Sequence, residues 1–260
     1  MFKKITDVFR SIVKKFRKTY SDDELREIIK TKGLHHIAII CDGNRRWAKK
    51  RGLSPLEGHR VGFVETLPYI CSQLFAWDVH TVTFWCFSTG NMKRTPAEVD
   101  NLMNSFVLMI EALKNVAKTY QVNVTHMGKK DRIPQFLLNK IIGIEKETAH
   151  FSKHNLNLAI DYSGPDEITR TYKRILDSGI ALDTISEENI MKFGDVGKQS
   201  YPSPDFLIRS SAALRTSDFM PFNTVYTELY FPEIFFPDFD RDVLQNAVLN
   251  FAHRKRTFAK

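Results

Sequence analysis

The sequence predicts an α/β protein built on a mainly parallel six-stranded sheet with helices around it. Three observations carry this. Short apolar runs rich in β-branched and aromatic residues alternate with longer helical stretches. Strands separated by helices imply βαβ units and hence parallel pairing. The chain has 260 residues at 43% hydrophobic content, enough for one large core.

The elements follow in order. Phe2, Ile5, Phe9, Ile12 and Phe16 recur every third or fourth residue, the apolar stripe of an amphipathic helix. Residues 1–18 set Lys3, Lys4, Arg10, Lys14, Lys15, Arg17 and Lys18 against Asp7, a net +6. Such a helix either lies in a membrane interface or docks on the protein or a second subunit, and both readings stay open. Asp7, Asp22, Asp23 and Glu24 do not suit a transit peptide. "YSDDELREIIKTKG" reads as a capped helix stopped by Gly33. Strands are expected over 36–41, 79–87, 122–127, 155–161, 205–208 and 226–231. Helices are expected over 58–76, 96–120, 131–150, 164–177, 186–193 and 239–253, with a loop over 197–205. No boundary interrupts the pattern after residue 34. Residues 1–34 therefore read as an extension and 35–260 as one domain.

Net charge is +8 and the pI is near 9.3. That excess suits an anionic partner: nucleic acid, a membrane surface or a phosphorylated small molecule. Most of it sits in the first 18 residues, so the body is close to balanced. With no aromatic-basic groove pattern, nucleic acid is disfavoured. Cys41, Cys71 and Cys86 have no CxxC spacing and no accompanying His cluster, which argues against zinc. An odd count without a signal peptide fits a reducing cytoplasm. No apolar run approaches the ~18 residues of a membrane span. The twenty Phe residues read first as ordinary core.

The chemistry gathers at strand ends. In "HIAIICDGNRRWAKKRG", an apolar strand runs into Asp42, Gly43 and Asn44, then into Arg45, Arg46 and Lys50. Ligands of open parallel sheets bind beyond the carboxyl ends of strands. A helix start there would seat phosphate, and Asp42 would repel it unless a cation lay between. Mg²⁺ held by one carboxylate and phosphate oxygens resolves the conflict. The alternative is that Asp42 only caps a helix. A second strand end, "TFWCFSTGNMKRTPAEVD", delivers Ser88, Asn91 and Arg94. A third, "DFLIRSSAALRTSDF", delivers Arg209, Ser210, Ser211, Arg215 and Ser217. Arg46, Arg94, Arg209 and Arg215 together exceed the need of one monophosphate and suit one or two diphosphates.

These residues resemble the cis-prenyltransferases, the undecaprenyl diphosphate synthase family. The likeness runs from His36 nearly to the end, through "EGHRVG", "FSTGNMKR" with "EVDNLM", "DFLIR" and "YTELYFPEIFFPDFD". The resemblance implies a homodimer with an apolar tunnel that joins isopentenyl diphosphate to an allylic diphosphate through cis double bonds. Asp42 is then the Mg²⁺-linked carboxylate. Gly43, Asn44, Arg45 and Arg46, with Trp47 beside them, cradle the allylic diphosphate, and His59 lies next to it. Phe87, Ser88, Asn91, Arg94 and Glu98 belong to the segment that closes the site. Arg209, Arg215 and Ser217 hold the isopentenyl diphosphate. Glu228 matches an acid that helps place Mg²⁺, in a segment, Tyr226 to Phe231, resembling a dimer interface.

The chain also departs from the family. Ser210-Ser211-Ala212-Ala213 replaces Thr-Gly-Gly-Glu, Gly90-Asn91-Met92 replaces Glu-Asn-Trp, and Pro55-Leu56 stands where an Arg is common. Met220-Pro221-Phe222-Asn223 replaces Leu-Leu-Trp-Gln, and the chain ends in Ala259-Lys260 where many bacterial members have Gly-Gly. The set expected to act in catalysis, Asp42, Asn44, His59, Ser88 and Asn91, is intact. An active enzyme with a short or medium product is expected. The rivals are an irregular coupling of two allylic diphosphates and a non-catalytic subunit.

Overall fold

A computed structural model describes residues 18–257, apart from the side chains of Leu182 and Glu188. The expected N-terminal amphipathic helix lies outside the described residues, save Lys18. Six parallel strands form one sheet: β1 (His36–Ile40), β2 (Thr81–Ser88), β3 (Val122–Met127), β4 (His154–Tyr162), β5 (Phe206–Arg209) and β6 (Glu228–Tyr230). Their spatial order is β3-β4-β2-β1-β5-β6. The direction of travel along the sheet reverses about β1 and β2, so β1 lies between β2 and β5. All three strands that were expected to deliver arginines therefore end side by side. The register pairs Ile40 with both Trp85 and Arg209.

The first expected helix is present as α1 (Asp22–Lys32), with Ser21 and Glu24 forming a reciprocal capping box and Gly33 ending it at φ 63°. Leu25 and Ile29 sink into the main core, so this segment packs on the body. A short α2 (Asn44–Lys50) leaves β1 directly. The stretch expected as one helix from 58 starts earlier and is irregular. It comprises α3 (Pro55–Arg60), a π-helical stretch (Val61–Thr66) and α4 (Leu67–Ala76). The widening falls where Gly58 and Gly62 press on Asn44: an added Cβ at either would overlap an Asn44 oxygen. A wider turn relieves such crowding, and bulges of this kind gather at functional sites.

The longest helix, α5 (Pro96–Tyr120), starts with Thr95 accepting the Glu98 N–H and ends at Gln121 in the left-handed region, φ 56°. Leu102, Phe106, Met109, Ile110, Leu113 and Ala117 make its buried stripe. Next come α6 (Gln135–Thr148), α7 (Gly164–Asp177), α8 (Glu187–Lys192) and α9 (Arg241–Ala252). One face of the sheet, with Ile37, Ile39, Val82 and Phe84, packs on the large core that includes α1, α4, α5, α6 and α9 residues. The other, with Ala38, Ile40, Trp85, Ala159 and Leu207, meets Tyr162, Val196, Phe219 and Met220. The strand expected over 226–231 is only three residues long, an edge strand paired to β5 alone.

Candidate active site

Asp42 stands two residues beyond β1. It does not cap α2: the cap residue is Gly43 at φ 99°, with no side-chain cap bond. Its carboxylate is instead held between arginines. Arg209 reaches Oδ2 through Nη2 at 3.0 Å and Nε at 3.3 Å, and Arg46 reaches Oδ1 through Nη2 at 3.0 Å. Burial opposes ionisation of Asp42, yet the two guanidiniums outweigh it and hold the carboxyl below its usual range. Ser210, fully buried, fixes the backbone: its Oγ accepts the Asp42 N–H at 2.8 Å and donates to the Asp42 carbonyl at 2.6 Å.

Gly43 needs its conformation and its lack of a side chain. A Cβ there would meet Phe235 at 2.5 Å and Ser211 at 3.1 Å. Asn44 is buried, donating Nδ2 to the Cys41 carbonyl at 3.1 Å, while its Oδ1 has no hydrogen-bond partner. Arg46 also donates to Ser211 Oγ at 2.6 Å and lies 5.5 Å from the Phe235 ring centroid.

These groups open on a cavity of about 320 Å³. Its polar wall is Asp42, Asn44, Arg46, His59, Ser88, Asn91, Arg94, Arg209, Arg215 and Ser217. Its apolar floor is Ile40, Phe63, Trp85, Phe87 and Leu102, with Cys41 and Cys86. An adjoining recess of about 290 Å³ adds Gly43 and Arg45. His59 is buried at 4% exposure; desolvation first, then the charges of Arg94 and Arg45, push its ring down to about 4. It is therefore neutral near pH 7. Ser88 N–H donates to Asn91 Oδ1 at 3.0 Å, fixing the short 3-10 turn (Thr89–Lys93) after β2. Arg94 bonds Glu98 at 3.1 Å, and Arg45 stands 3.8 Å from the same carboxylate, so Glu98 organises both from behind the cavity. Arg209 Nη1 donates to the Arg215 carbonyl at 2.7 Å and to Ser217 Oγ at 2.8 Å.

Three expected residues do not line the cavity: Glu98 stands behind it, and Trp47 and Glu228 lie elsewhere. Trp47 turns the other way, donating Nε1 to Asp238 at 2.6 Å under the Arg51 guanidinium. Glu228 sits on β6, paired with Arg254 at 2.7 Å. The floor residues Ile40, Cys41, Phe63, Trp85, Cys86 and Leu102 were not foreseen as site residues. As sequence they are plain strand and helix core, with no signal to separate them from the rest.

Among the described residues no cluster of three or more His, Cys, Asp or Glu could hold a metal ion by itself. The donor set is one ionised carboxylate within a ring of cations. That fits a hard ion such as Mg²⁺, which keeps waters and completes its shell with phosphate oxygens, and it does not fit a dedicated protein cage.

The class that this sheet and cavity define matches what comparison with known proteins finds. Residues 40–259 match a prenyltransferase family model described as "Putative undecaprenyl diphosphate synthase". The chain is 35% identical over 254 residues to the tritrans,polycis-undecaprenyl-diphosphate synthase (geranylgeranyl-diphosphate specific) of Thermoplasma acidophilum, covering 94% of this chain and 95% of that one. It is 34% identical over 268 residues to dehydrodolichyl diphosphate synthase 1 of Arabidopsis thaliana, covering 95% and 84%. The crystal structure of lavandulyl diphosphate synthase from Lavandula x intermedia, in complex with dimethylallyl diphosphate, superposes with a TM-score of 0.83 at 31% identity, covering 87% and 98%. The chain belongs to the undecaprenyl diphosphate synthase family of cis-prenyltransferases.

Proposed function

We propose that this protein condenses isopentenyl diphosphate with an allylic diphosphate, extending the chain through cis double bonds. The observation that carries the reading is Asp42 clamped between Arg46 and Arg209 where two basic recesses meet above an apolar floor. The recess with Gly43, Asn44, Arg45 and Arg46 takes the allylic diphosphate, and Arg209, Arg215 and Ser217 take the isopentenyl diphosphate. Breaking the allylic C–O bond places negative charge on the leaving diphosphate, and preorganised cations stabilise it. Mg²⁺ bound at Asp42 would add neutralisation of that charge. Neutral His59 donates a ring N–H to an anionic oxygen without adding charge. Ser88 and Asn91 line the floor's rim, and Arg94 closes over the allylic group. The growing hydrocarbon gains by leaving water for the apolar floor.

We take residues 1–34 as an extension that precedes one catalytic unit, residues 35–260. A homodimer through Tyr226 to Phe231 is supported by the exposed Val225, Tyr226 and Leu229. No helix among the described residues is long and apolar enough to cross a membrane. The basic, apolar-striped sequence of residues 1–18 supports peripheral attachment to the inner, cytoplasmic face.

A second reading, coupling of two allylic diphosphates, is favoured by the likeness to the lavandulyl enzyme. Against it stands the intact Arg209, Arg215 and Ser217 set. A non-catalytic role would not need Asp42. Purified protein with Mg²⁺ and labelled isopentenyl diphosphate, given dimethylallyl, geranyl, farnesyl or geranylgeranyl diphosphate in turn, tests all three. Labelled, longer products are expected. An allylic-allylic product formed without isopentenyl diphosphate would select the second reading, and no product with any primer would overturn both.

A further inference from the structure

The turn that surrounds Arg209 is under backbone strain. Ser217, Asp218 and Met220 all lie in the left-handed region, at φ 51°, 63° and 49°. Non-glycine residues hold that conformation only where their surroundings over-determine it. Here the contacts that hold the turn come from Trp85 of the cavity floor and, outside the cavity, from the end of β4 and the start of α7. Phe219 stacks on Trp85, ring centroids 5.0 Å apart and 7° from parallel, and takes the edge of Tyr162 at 5.6 Å. Gly164 lies so close beneath that a Cβ would overlap the Asp218 carbonyl and sit 2.9 Å from Pro221.

The centre of this clamp is the Tyr162 hydroxyl. Tyr162 has no solvent exposure. Its oxygen accepts the Met220 N–H at 3.1 Å, and it also bonds Glu167 Oε2. With one position taken by a donor, its own proton points to Glu167. Glu167 is itself buried, at 3% exposure, and its Oε1 accepts the Asp195 N–H at 3.0 Å. The phenol is thus oriented from behind and has one task in front, to hold a backbone N–H of the strained turn. Ser217, three residues before that N–H, is bonded to Arg209.

We infer that Tyr162, oriented by Glu167, is a positioning residue that holds the Arg215–Ser217 turn in its diphosphate-binding shape without touching substrate. The inference rests on the proposed assignment of that turn to isopentenyl diphosphate. It predicts a selective defect. Tyr162→Phe keeps the aromatic packing, strands the Met220 N–H of the turn and leaves Glu167 Oε2 without its phenol donor, so on the cavity side it is the turn that should loosen.

Calorimetry reads this without turnover. Tyr162→Phe should weaken isopentenyl diphosphate binding about tenfold, ~1.4 kcal/mol, and leave allylic diphosphate binding within twofold of the parent. Glu167→Gln offers one oxygen where the carboxylate accepts at two, from the phenol and from the Asp195 N–H, so it should weaken isopentenyl diphosphate binding in the same selective sense and by no more than Tyr162→Phe. Equal weakening of both ligands, or a lowered Tm with unchanged affinities, would overturn the inference. If Tyr162→Phe does not fold, Phe219→Leu loosens the same clamp and must show the same selectivity. Should the parent bind isopentenyl diphosphate yet form no product, the functional reading falls while this inference is still decided by the same affinities.

Discussion

Arg209 approaches Asp42 with two nitrogens on one oxygen, Nη2 at 3.0 Å and Nε at 3.3 Å, while Arg46 occupies the other oxygen. The acid of the site is therefore neutralised at once by residues of both basic recesses, those proposed to take the two diphosphates. A bound diphosphate competes for those guanidiniums, and its own charge frees Asp42 only if a cation takes their place. Without ligands the two guanidiniums supply the charge balance that, on the proposed reading, substrate and a cation would provide.

Asp42→Ala should lower kcat by several powers of ten, each tenfold loss amounting to ~1.4 kcal/mol of transition-state stabilisation. Folding should survive, because the side chain is partly exposed at a strand end. Steady-state kinetics over a range of Mg²⁺ concentrations checks it. Turnover close to the parent's, or turnover indifferent to chelation by EDTA, contradicts the role given to this carboxylate.

Arg209 and Arg215 should separate. Both should raise the KM for isopentenyl diphosphate when changed to Ala, since both line the cavity on the side proposed to bind it. Arg209 is also buried, at 6% exposure, and serves Asp42, the Arg215 carbonyl and Ser217. Removing it takes one of two guanidiniums from the half-buried Asp42 carboxylate, which keeps Arg46, and frees the Arg215 carbonyl and Ser217, so Arg209→Ala should lower the Tm measurably. Arg215 is exposed, so Arg215→Ala should keep its Tm within a few degrees. Thermal melts beside kinetics would show it, and equal destabilisation by both would be wrong for this geometry.

The frame of this site was legible in the sequence for a physical reason. Strand ends that deliver Arg and hydroxyls cluster once the sheet is parallel, so Asp42, Arg94 and Arg209 could be placed together from order alone. What could not be read was direction. Trp47 sits in the same run as Arg46, but α2 turns it towards Asp238. Glu228 is at the opening residue of a strand, pairing in register with Phe206 rather than with the strand ends. The π-helical stretch was equally hidden, since its cause is the contact of Gly58 and Gly62 with Asn44, far apart in pattern from any helix signal.

That contact makes Gly62 a sharp test. A methyl group there would overlap Asn44 Oδ1 and sit 3.3 Å from Phe236. Gly62→Ala should displace Asn44 and Arg46 with it, raising the KM for the allylic substrate more than that for isopentenyl diphosphate. In an ordinary helix the same change would stabilise. A more stable variant with unchanged KM values would show that Asn44 has room to move.

Acid should destabilise the fold before it protonates the carboxylates. His36 is pushed down to about 3 by burial, and His59, His126 and His154 to about 4, burial again leading. All four are buried. Unfolding returns each to about 6.5. Below that value the unfolded chain binds more protons than the folded one, so stability falls with pH, by up to ~1.4 kcal/mol per pH unit for each histidine, until the folded values are reached. Tm should be flat above pH 7 and decline steadily from pH 6.5 to 4.5. A Tm constant down to pH 5 would mean that these rings are already charged in the folded protein.

Product length should be set where the cavity floor stops. Phe63, Phe87 and Leu102 line the floor, and Phe106 stands behind them, its ring 5.0 Å from Phe63 and 6.1 Å from Phe87. All four are nearly or fully buried, so a growing chain meets packed side chains at the end of about 320 Å³. Each further isoprene must push this wall aside in competition with release. Ser211 and Ala212 lie beside the condensation site with φ of 75° and 58°, conformations that suit glycine better and should slow each cycle. A short or medium product is therefore expected. Phe106→Ala removes the wall at about 3–5 kcal/mol in stability and should shift the product distribution upward by one or more isoprene units. Ala212→Gly, which leaves the Ser211 bond to Arg46 in place, should speed turnover without moving the wall. Mass spectrometry of the dephosphorylated products decides both. A dominant product of eleven units from the parent chain, or an unchanged distribution in a folded Phe106→Ala, would place the length-setting contact elsewhere.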